Sequence, residues 1–119
     1  MIGKLAWYDI PVLDMDRACK FYSEIFQIDI QRQEAGEYKM GIFQTEGATG
    51  ALVSGPNLTP SKIGFLPYFT GGEDLNNILL RIEPAGGKVE LVKTSLQGHG
   101  YYALFHDTEG NRLGLHSYK

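Results

Sequence analysis

Short alternating stretches of hydrophobic and polar residues fill most of this chain, and two longer stretches have helical periodicity. Leu5 to Val12 is rich in aromatic and branched side chains and predicts a strand that ends at Pro11. Asp14 then suits the N-cap of a helix. That helix has a buried stripe at i, i+3, i+4 and i+7 spacing, formed by Ala18, Phe21, Tyr22 and Ile25. Three more strands are predicted after it, at residues 28–33, 38–45 and 48–54.

The same order of elements restarts after the linker-like segment Gly55 to Pro60. Residues 63–69 predict a strand, and a turn at 71–74 leads into a second helix with the same spacing of apolar positions. Pro84 and Gly86-Gly87 end that helix, because proline lacks an N–H and glycine accepts the left-handed cap. Strands at 88–92, 101–106 and 111–117 complete the chain. We therefore predict a single α+β domain, residues 1–119, built from two βαβββ modules, 1–57 and 58–119, that share one core.

Composition narrows the class of protein. Hydrophobic residues make up 43% and charged residues 21% of the 119 positions, which is ordinary for a globular domain. A net charge of -3 without a basic run gives no field that would attract nucleic acid or an anionic membrane. No apolar run approaches the roughly 18 residues of a membrane span, and the N-terminus lacks the apolar core of a signal peptide. We expect a cytoplasmic protein that binds neither nucleic acid nor membrane.

Few residues suggest a nucleophile or its base. Cys19 is the only cysteine, which excludes an intrachain disulfide, and its place in the first helix favours a buried thiol over a nucleophile. His99 lies between two glycines, in a loop that either closes over a ligand or forms a plain hairpin turn. His106 precedes the turn at Asp107, and a hydrogen bond to that turn is expected. No Ser-His-Asp or Cys-His arrangement emerges from these residues.

Four segments of the chain resemble a known family. They are Trp7-Tyr-Asp-Ile-Pro-Val-Leu-Asp14 with the helix after it, Leu66-Pro67-Tyr68-Phe69, the stretch up to Gly86-Gly87, and Asp107-Thr-Glu-Gly-Asn111. Together they resemble the two module signatures of the glyoxalase/bleomycin-resistance/dioxygenase group, the vicinal-oxygen-chelate superfamily. The resemblance implies curved mixed sheets whose inner faces enclose a ligand cavity. It also implies a homodimer, which the abundance of aromatic residues favours because an apolar face is then left exposed.

Metal binding is the usual chemistry of that group, and it uses four side chains on the inner faces of the sheets. Carried onto this sequence, the four ligand positions fall at Trp7, within residues 50–52, near Pro67 and at Gly114. None of these side chains donates an oxygen or an imidazole nitrogen, whereas a catalytic divalent ion needs at least two or three such donors. The resemblance therefore implies a protein without metal or any other cofactor.

Polar residues near the lost ligand positions form a candidate site. Asp9 and His116 each lie two residues along from such a position and so point to the same face of their strand. With Trp7 and Arg112 they predict a polar patch, in which Asp9 is a base or an anchor and Arg112 clamps a carboxylate. The alternative is that Asp9 and Arg112 form a structural pair and that His116 is a surface residue near the chain end.

Aromatic residues are the remaining candidates for a cavity wall. Trp7, Phe65 and Phe69 share the alternation of the ligand positions at 7 and 67, and such walls suit a small apolar or planar ligand. The same residues also fit an ordinary core. Three functions stay open: metal-independent binding of a small organic molecule, a lyase, isomerase or dioxygenase-type enzyme using a relocated site with Asp9 and His116, or a partner-binding module with a filled cavity.

Overall fold

Two β-sheets, each with one helix, make up the part of the chain that this computed structural model describes, namely residues 2, 5–46 and 49–119. The first half contains β1 (Trp7–Pro11), α1 (Met15–Phe26), β2 (Ile30–Ala35), β3 (Tyr38–Phe43) and β4 (Thr49–Ser54). The second half contains β5 (Tyr68–Thr70), α2 (Asn76–Ile82), β6 (Lys88–Ser95), β7 (Tyr101–His106) and β8 (Arg112–Ser117). Each half thus has the predicted order βαβββ.

The two sheets have the same strand order. In the first it is β1-β4-β3-β2, and in the second it is β5-β8-β7-β6. β1 runs parallel to β4 and β5 runs parallel to β8, while the other neighbours are antiparallel. Both sheets are therefore mixed, which confirms the predicted α+β fold.

Alternation along each strand separates a core face from an open face. In β1, Ile10 is buried in the core with the stripe of α1, whereas Trp7 and Asp9 are exposed on the opposite side. In β8, Leu113 and Leu115 are buried in the same core. Each sheet thus has a core face, which carries these buried residues, and an open face, which carries Asp9 in the first sheet and Arg112 in the second. Residues of both helices and both sheets therefore share one core.

The start of α1 is capped by a side chain as predicted, whereas the start of α2 has no side-chain cap. Asp14 is the N-cap of α1, and its carboxylate accepts the backbone N–H of Arg17 at 3.0 Å, as predicted. α2 has no side-chain cap, and the backbone N–H of Leu75 instead donates to Ser117 Oγ at 3.1 Å. After α2, Gly86 adopts a φ of 107° and the Gly87 N–H donates to the Ile82 carbonyl at 2.9 Å, so the predicted glycine stop is confirmed.

The predicted strand at residues 63–69 is wrong over most of its length, since β5 contains only Tyr68–Thr70. Ser61 Oγ accepts the N–H of Ile63 and donates to its carbonyl, so this stretch forms a local turn in place of a ladder. Pro67 has no N–H to donate. Two bonds still attach the segment to β8, from the Arg112 N–H to the Ser61 carbonyl and from the Gly114 N–H to the Pro67 carbonyl. Strand β6 is longer than predicted and ends at Ser95.

The turn from Asp107 to Asn111 joins the two halves of the molecule through buried polar groups. Asp107 accepts the phenol O–H of Tyr22 at 2.8 Å and the backbone N–H groups of Glu109 and Asn111. Asn111 Nδ2 donates to the Pro11 carbonyl at 2.7 Å, at the end of β1. Both side chains belong to the second half of the chain and bind the first half.

Glu109 makes the strongest of these connections. Its carboxylate is fully buried and accepts the backbone N–H groups of Leu13 and Asp14 at 2.8 and 2.7 Å. It also pairs with Arg17, whose Nε donates at 2.6 Å and Nη2 at 3.0 Å. Burial raises the pKa of the Glu109 carboxyl, but the hydrogen bonds from Arg17 and Asp14 together outweigh it and lower that pKa. The buried group therefore stays ionised and holds the start of α1.

Tyr22→Phe tests the connection between the halves. The Tyr22 hydroxyl is fully buried and donates to a buried carboxylate, so its loss should lower the free energy of unfolding by about 1.5–3 kcal/mol. Tyr38→Phe is the matched control, because the Tyr38 hydroxyl donates at 3.3 Å to the Pro56 carbonyl at an exposed position. That control should change stability by no more than about 0.5 kcal/mol. Urea unfolding measures both, and equal losses in the two variants would contradict a role for the Asp107 turn in joining the halves.

Candidate functional site

A cleft of about 390 Å³ lies between β1, the segment before β5, and the start of β8. We call it the β1–β8 cleft. Its walls are largely apolar, with Leu5 and Pro11 on one side and Ile63 and Pro67 on the other. Four of the six predicted site residues line it, namely Trp7, Asp9, Phe65 and Arg112. These four positions come from three separate parts of the chain, and the fold brings them into one cleft.

Trp7 and Asp9 form a local pair in this cleft. The indole Nε1–H of Trp7 donates to Asp9 Oδ1 at 2.8 Å. The indole nevertheless remains 44% exposed, and Phe65, on the other wall, is 78% exposed. The alternative in which Asp9 pairs with Arg112 is wrong, since the partner of Asp9 is Trp7 and that of Arg112 is a different carboxylate. The ring of Trp7 is thus held beside a carboxylate while much of its surface stays exposed.

The carboxylate that pairs with Arg112 is that of Glu90 in β6. Arg112 Nε donates to Glu90 Oε1 at 2.8 Å and Arg112 Nη2 donates to Oε2 at 2.9 Å, a bidentate pair. His106 Nε2 lies 2.8 Å from the same Oε1. The hydrogen bonds from Arg112 lower the pKa of the Glu90 carboxyl to about 2, with burial opposing and His106 assisting. Glu90 therefore stays ionised, and it neutralises Arg112.

Glu90 was not among the predicted site residues, and the predicted partner of His106 is wrong. His106 was expected to bind the Asp107 turn, but it binds Glu90 on the neighbouring strand. Antiparallel pairing of β7 with β6 and β8 brings the two together, since His106 lies opposite both Lys88 and Arg112. Glu90 lies in the predicted strand at residues 88–92, but its contacts could not be predicted without knowing which strands pair.

Phe69 and His116 lie outside the cleft. Phe69 is partly buried against the core, with ring centroids 5.0 Å from Phe26 and 5.6 Å from Tyr8, and these three rings line a separate cleft of about 380 Å³. It pairs with Leu115, which is buried, so the alternation turns Phe69 inward and its neighbour Tyr68 outward. His116 Nε2 is 2.6 Å from the carbonyl oxygen of His99, in the turn that joins β6 to β7. The structure thus does not place Asp9 and His116 in a common cleft.

Tight packing opposes a side chain at Gly114, one of the predicted ligand positions, and at Gly50, the first residue of the predicted range 50–52. A Cβ at Gly50 would lie 2.2 Å from the ring of Tyr8, and a Cβ at Gly114 would lie 2.3 Å from the ring of Tyr68. Tyr8 is the direct neighbour of Gly50 across the β1–β4 pair, and Tyr68 holds the equivalent place beside Gly114. Each sheet therefore fills the space over its glycine with a tyrosine from the parallel strand.

The residues at the ligand positions do not fit a metal. Trp7 donates its only N–H to Asp9, and Pro67 and Gly114 have no donor side chain. Within the described part of the chain, no group of three or more His, Cys, Asp or Glu residues is placed to hold a metal ion. Cys19 contributes nothing here, because it is half-buried beside Gly41 and burial raises the pKa of its thiol.

Comparison with known proteins agrees with this architecture. A family model described as the Glyoxalase/Bleomycin resistance protein/Dioxygenase superfamily matches residues 4–115. This chain belongs to that superfamily. A glyoxylase-like domain-containing protein from Didymella fabae is 30% identical over 115 residues, which cover 92% of this chain and 89% of the relative.

Solved structures of the superfamily fold align over almost the whole chain. TnmS3, an antibiotic binding protein from Streptomyces sp. CB03234, is 25% identical with a TM-score of 0.71, over 98% of this chain and 96% of that one. The fosfomycin resistance protein FosX from Listeria monocytogenes is 20% identical with a TM-score of 0.75, over 98% and 93% of the two chains. The FosX likeness shows the fold alone. Neither described helix of this superfamily member is long and apolar enough to cross a membrane.

Glu90→Gln should change the response of the protein to acid. The folded-state pKa of Glu90 is lowered to about 2, so its contribution to stability is present above the ordinary value near 4.5 and is lost as the pH falls through the folded-state value. The variant should be less stable than wild type near neutral pH, and the difference should shrink as the pH falls towards about 2.

Urea unfolding at about pH 7, 5 and 3 measures the response. Glu37→Gln is the control, because Glu37 is exposed and makes no ion pair within the described residues. A stability difference for Glu90→Gln that is the same at all three pH values would contradict the assignment.

Proposed function

We propose that this protein binds a small organic molecule in the β1–β8 cleft without a metal or other cofactor. The observation that carries the proposal is the pair of exposed aromatic side chains, Trp7 and Phe65, on opposite walls of one cleft. Large aromatic side chains that only fill a core are buried, as Phe21 and Phe105 are. Trp7 and Phe65 are not, and a planar ligand between them would bury both.

The size and lining of the cleft support a ligand of modest size. A volume of about 390 Å³ lies within the range of roughly 300–1,000 Å³ that is typical of small-molecule pockets. The walls are mostly apolar, with a few polar groups that would orient a bound molecule. Binding would then rest on burial of apolar surface and aromatic contact.

The residues at the family's metal positions support independence from metal. Trp7, Pro67 and Gly114 have no side chain that ligates a metal, and the ring of Tyr68 fills the space over Gly114. The likeness to TnmS3, whose name states that it binds an antibiotic, supports sequestration of an organic molecule as the function of this fold here.

An enzyme that uses Asp9 and His116 together is the weaker proposal. Such a site needs both groups to reach the same substrate. Asp9 lines the cleft, whereas His116 is bonded to the carbonyl of His99 and stacks edge-on with Tyr118 at 4.7 Å. A partner-binding module with a filled cavity is also weaker, because the exposed indole of Trp7 borders open space.

Fluorescence of Trp7 tests the binding proposal, because Trp7 is the only tryptophan. Titration with neutral planar aromatic compounds such as coumarin should change its emission, with the same affinity in the presence of EDTA. Trp7→Ala and Phe65→Ala should each weaken binding about tenfold, measured by calorimetry. Leu80→Ala is the control, because Leu80 is 75% exposed and lies outside the cleft. Binding that EDTA abolishes, or elemental analysis that finds about one metal per chain, would overturn the metal-independent proposal.

We further propose that the protein acts as a homodimer in the cytoplasm. Leu13 is 69% and Val92 65% exposed, and both lie outside the cleft, so the single chain leaves large apolar side chains in water. Sedimentation velocity at tens of micromolar should give the mass of two chains. A monomer at that concentration would end the dimer proposal and leave the binding proposal intact.

A further inference from the structure

Two charged side chains, Asp9 and Arg112, occur among the described residues that line the β1–β8 cleft. Their charges are opposite, and their surroundings differ. The balance between them decides which kind of polar group a ligand can place in the cleft. The apolar walls make that balance more important, because charges act more strongly where water is partly excluded.

Arg112 is already neutralised by a carboxylate of the protein. Its Nε and Nη2 both donate to Glu90, at 2.8 and 2.9 Å, which is the geometry in which a guanidinium binds a ligand carboxylate. Glu90 remains ionised, since the hydrogen bonds from Arg112 lower its pKa to about 2. A ligand carboxylate would have to displace Glu90 and leave that charge without its partner.

Asp9 has no such partner. Its Oδ1 accepts one neutral donor, the indole N–H of Trp7, at 2.8 Å. No Lys or Arg of the described residues forms an ion pair with it. Its negative charge is therefore the uncompensated charge of the cleft.

The aromatic side chains around Asp9 also favour a positively charged ligand. The face of an aromatic ring attracts a cation, and tryptophan does so most strongly. Trp7 is held beside Asp9 by its own hydrogen bond, and Phe65 presents a second exposed ring from the opposite wall. A positive group would gain from the carboxylate and from both rings, while an anion would be opposed by all three.

We propose that the cleft is a binding site for an organic cation, an amine with an aromatic or other apolar body. Asp9 supplies the counter-charge, and Trp7 and Phe65 supply the aromatic walls. This inference rests on the proposed binding function and gives that function a chemical class of ligand.

Three probes with one naphthalene body test the sign of the charge: 1-naphthylmethylamine, which is a cation at neutral pH, the neutral 1-naphthalenemethanol, and the anion 1-naphthoate. Calorimetry on the full chain should show that the cation binds roughly fivefold more tightly than the alcohol. The anion should bind more weakly than either.

Two variants assign the preference to named groups. Asp9→Asn keeps an oxygen that accepts the Trp7 N–H but removes the charge, so the cation should fall to the affinity of the alcohol. Glu90→Gln leaves Arg112 without an anionic partner, so the anion should gain and the cation should lose affinity. Glu37→Gln, which changes the net charge by the same amount at an exposed site away from the cleft, should keep the wild-type order.

The outcomes separate this inference from the function on which it rests. If the alcohol or the anion binds as tightly as the cation, the inference is overturned while the binding proposal stands. If none of the three probes binds at millimolar concentration, the inference is overturned, and if coumarin does not bind either, the binding proposal falls with it. An unchanged order of affinities in Asp9→Asn would also overturn the role given to Asp9.

Discussion

The fold depends on a buried carboxylate, Glu109, whose oxygens bind the backbone and side chain of the other half of the chain. Removal of a charged group from water is costly, and it is tolerated where hydrogen bonds replace the lost hydration. Glu109 accepts bonds from the backbone of Leu13 and Asp14 and a bidentate pair from Arg17. These are the residues at which the chain leaves β1 and enters α1. The last turn of the molecule thereby fixes the start of its first helix.

This constraint also positions the cleft. Asp107 and Asn111 complete the same turn, and Asn111 binds the Pro11 carbonyl at the end of β1. The strand after the turn is β8, which begins at Arg112. Trp7 and Asp9 on β1 and Arg112 on β8 are therefore held in place by one buried network. A weakening of that network would let β1 and β8 move apart, so stability of the turn and shape of the cleft are coupled.

The sequence predicted the elements well because each has a local cause. Asp14 caps α1 through its own side chain, and the apolar stripes of both helices are visible as spacing. The site was harder, because its partners come from pairing between distant strands. Trp7, Asp9, Phe65 and Arg112 were named from alternation and resemblance, and the cleft contains all four. Glu90 was missed because its partner Arg112 lies two strands away in the sheet. Phe69 packs against the core and lines a different cleft.

Loss of the metal positions and the arrangement of charges belong to one physical change. The ring of Tyr68 fills the space over Gly114, one of the predicted ligand positions, and the ring of Tyr8 fills the space over Gly50 on the core side of the first sheet. Without an ion, a carboxylate in the cleft has no metal charge to balance it. Glu90 is balanced by Arg112, whereas among the described residues Asp9 has only a neutral partner, the indole N–H of Trp7. Water solvates an exposed carboxylate, so Asp9 contributes little to the stability of the fold. The proposed organic cation would supply the positive charge that the described residues do not place beside Asp9.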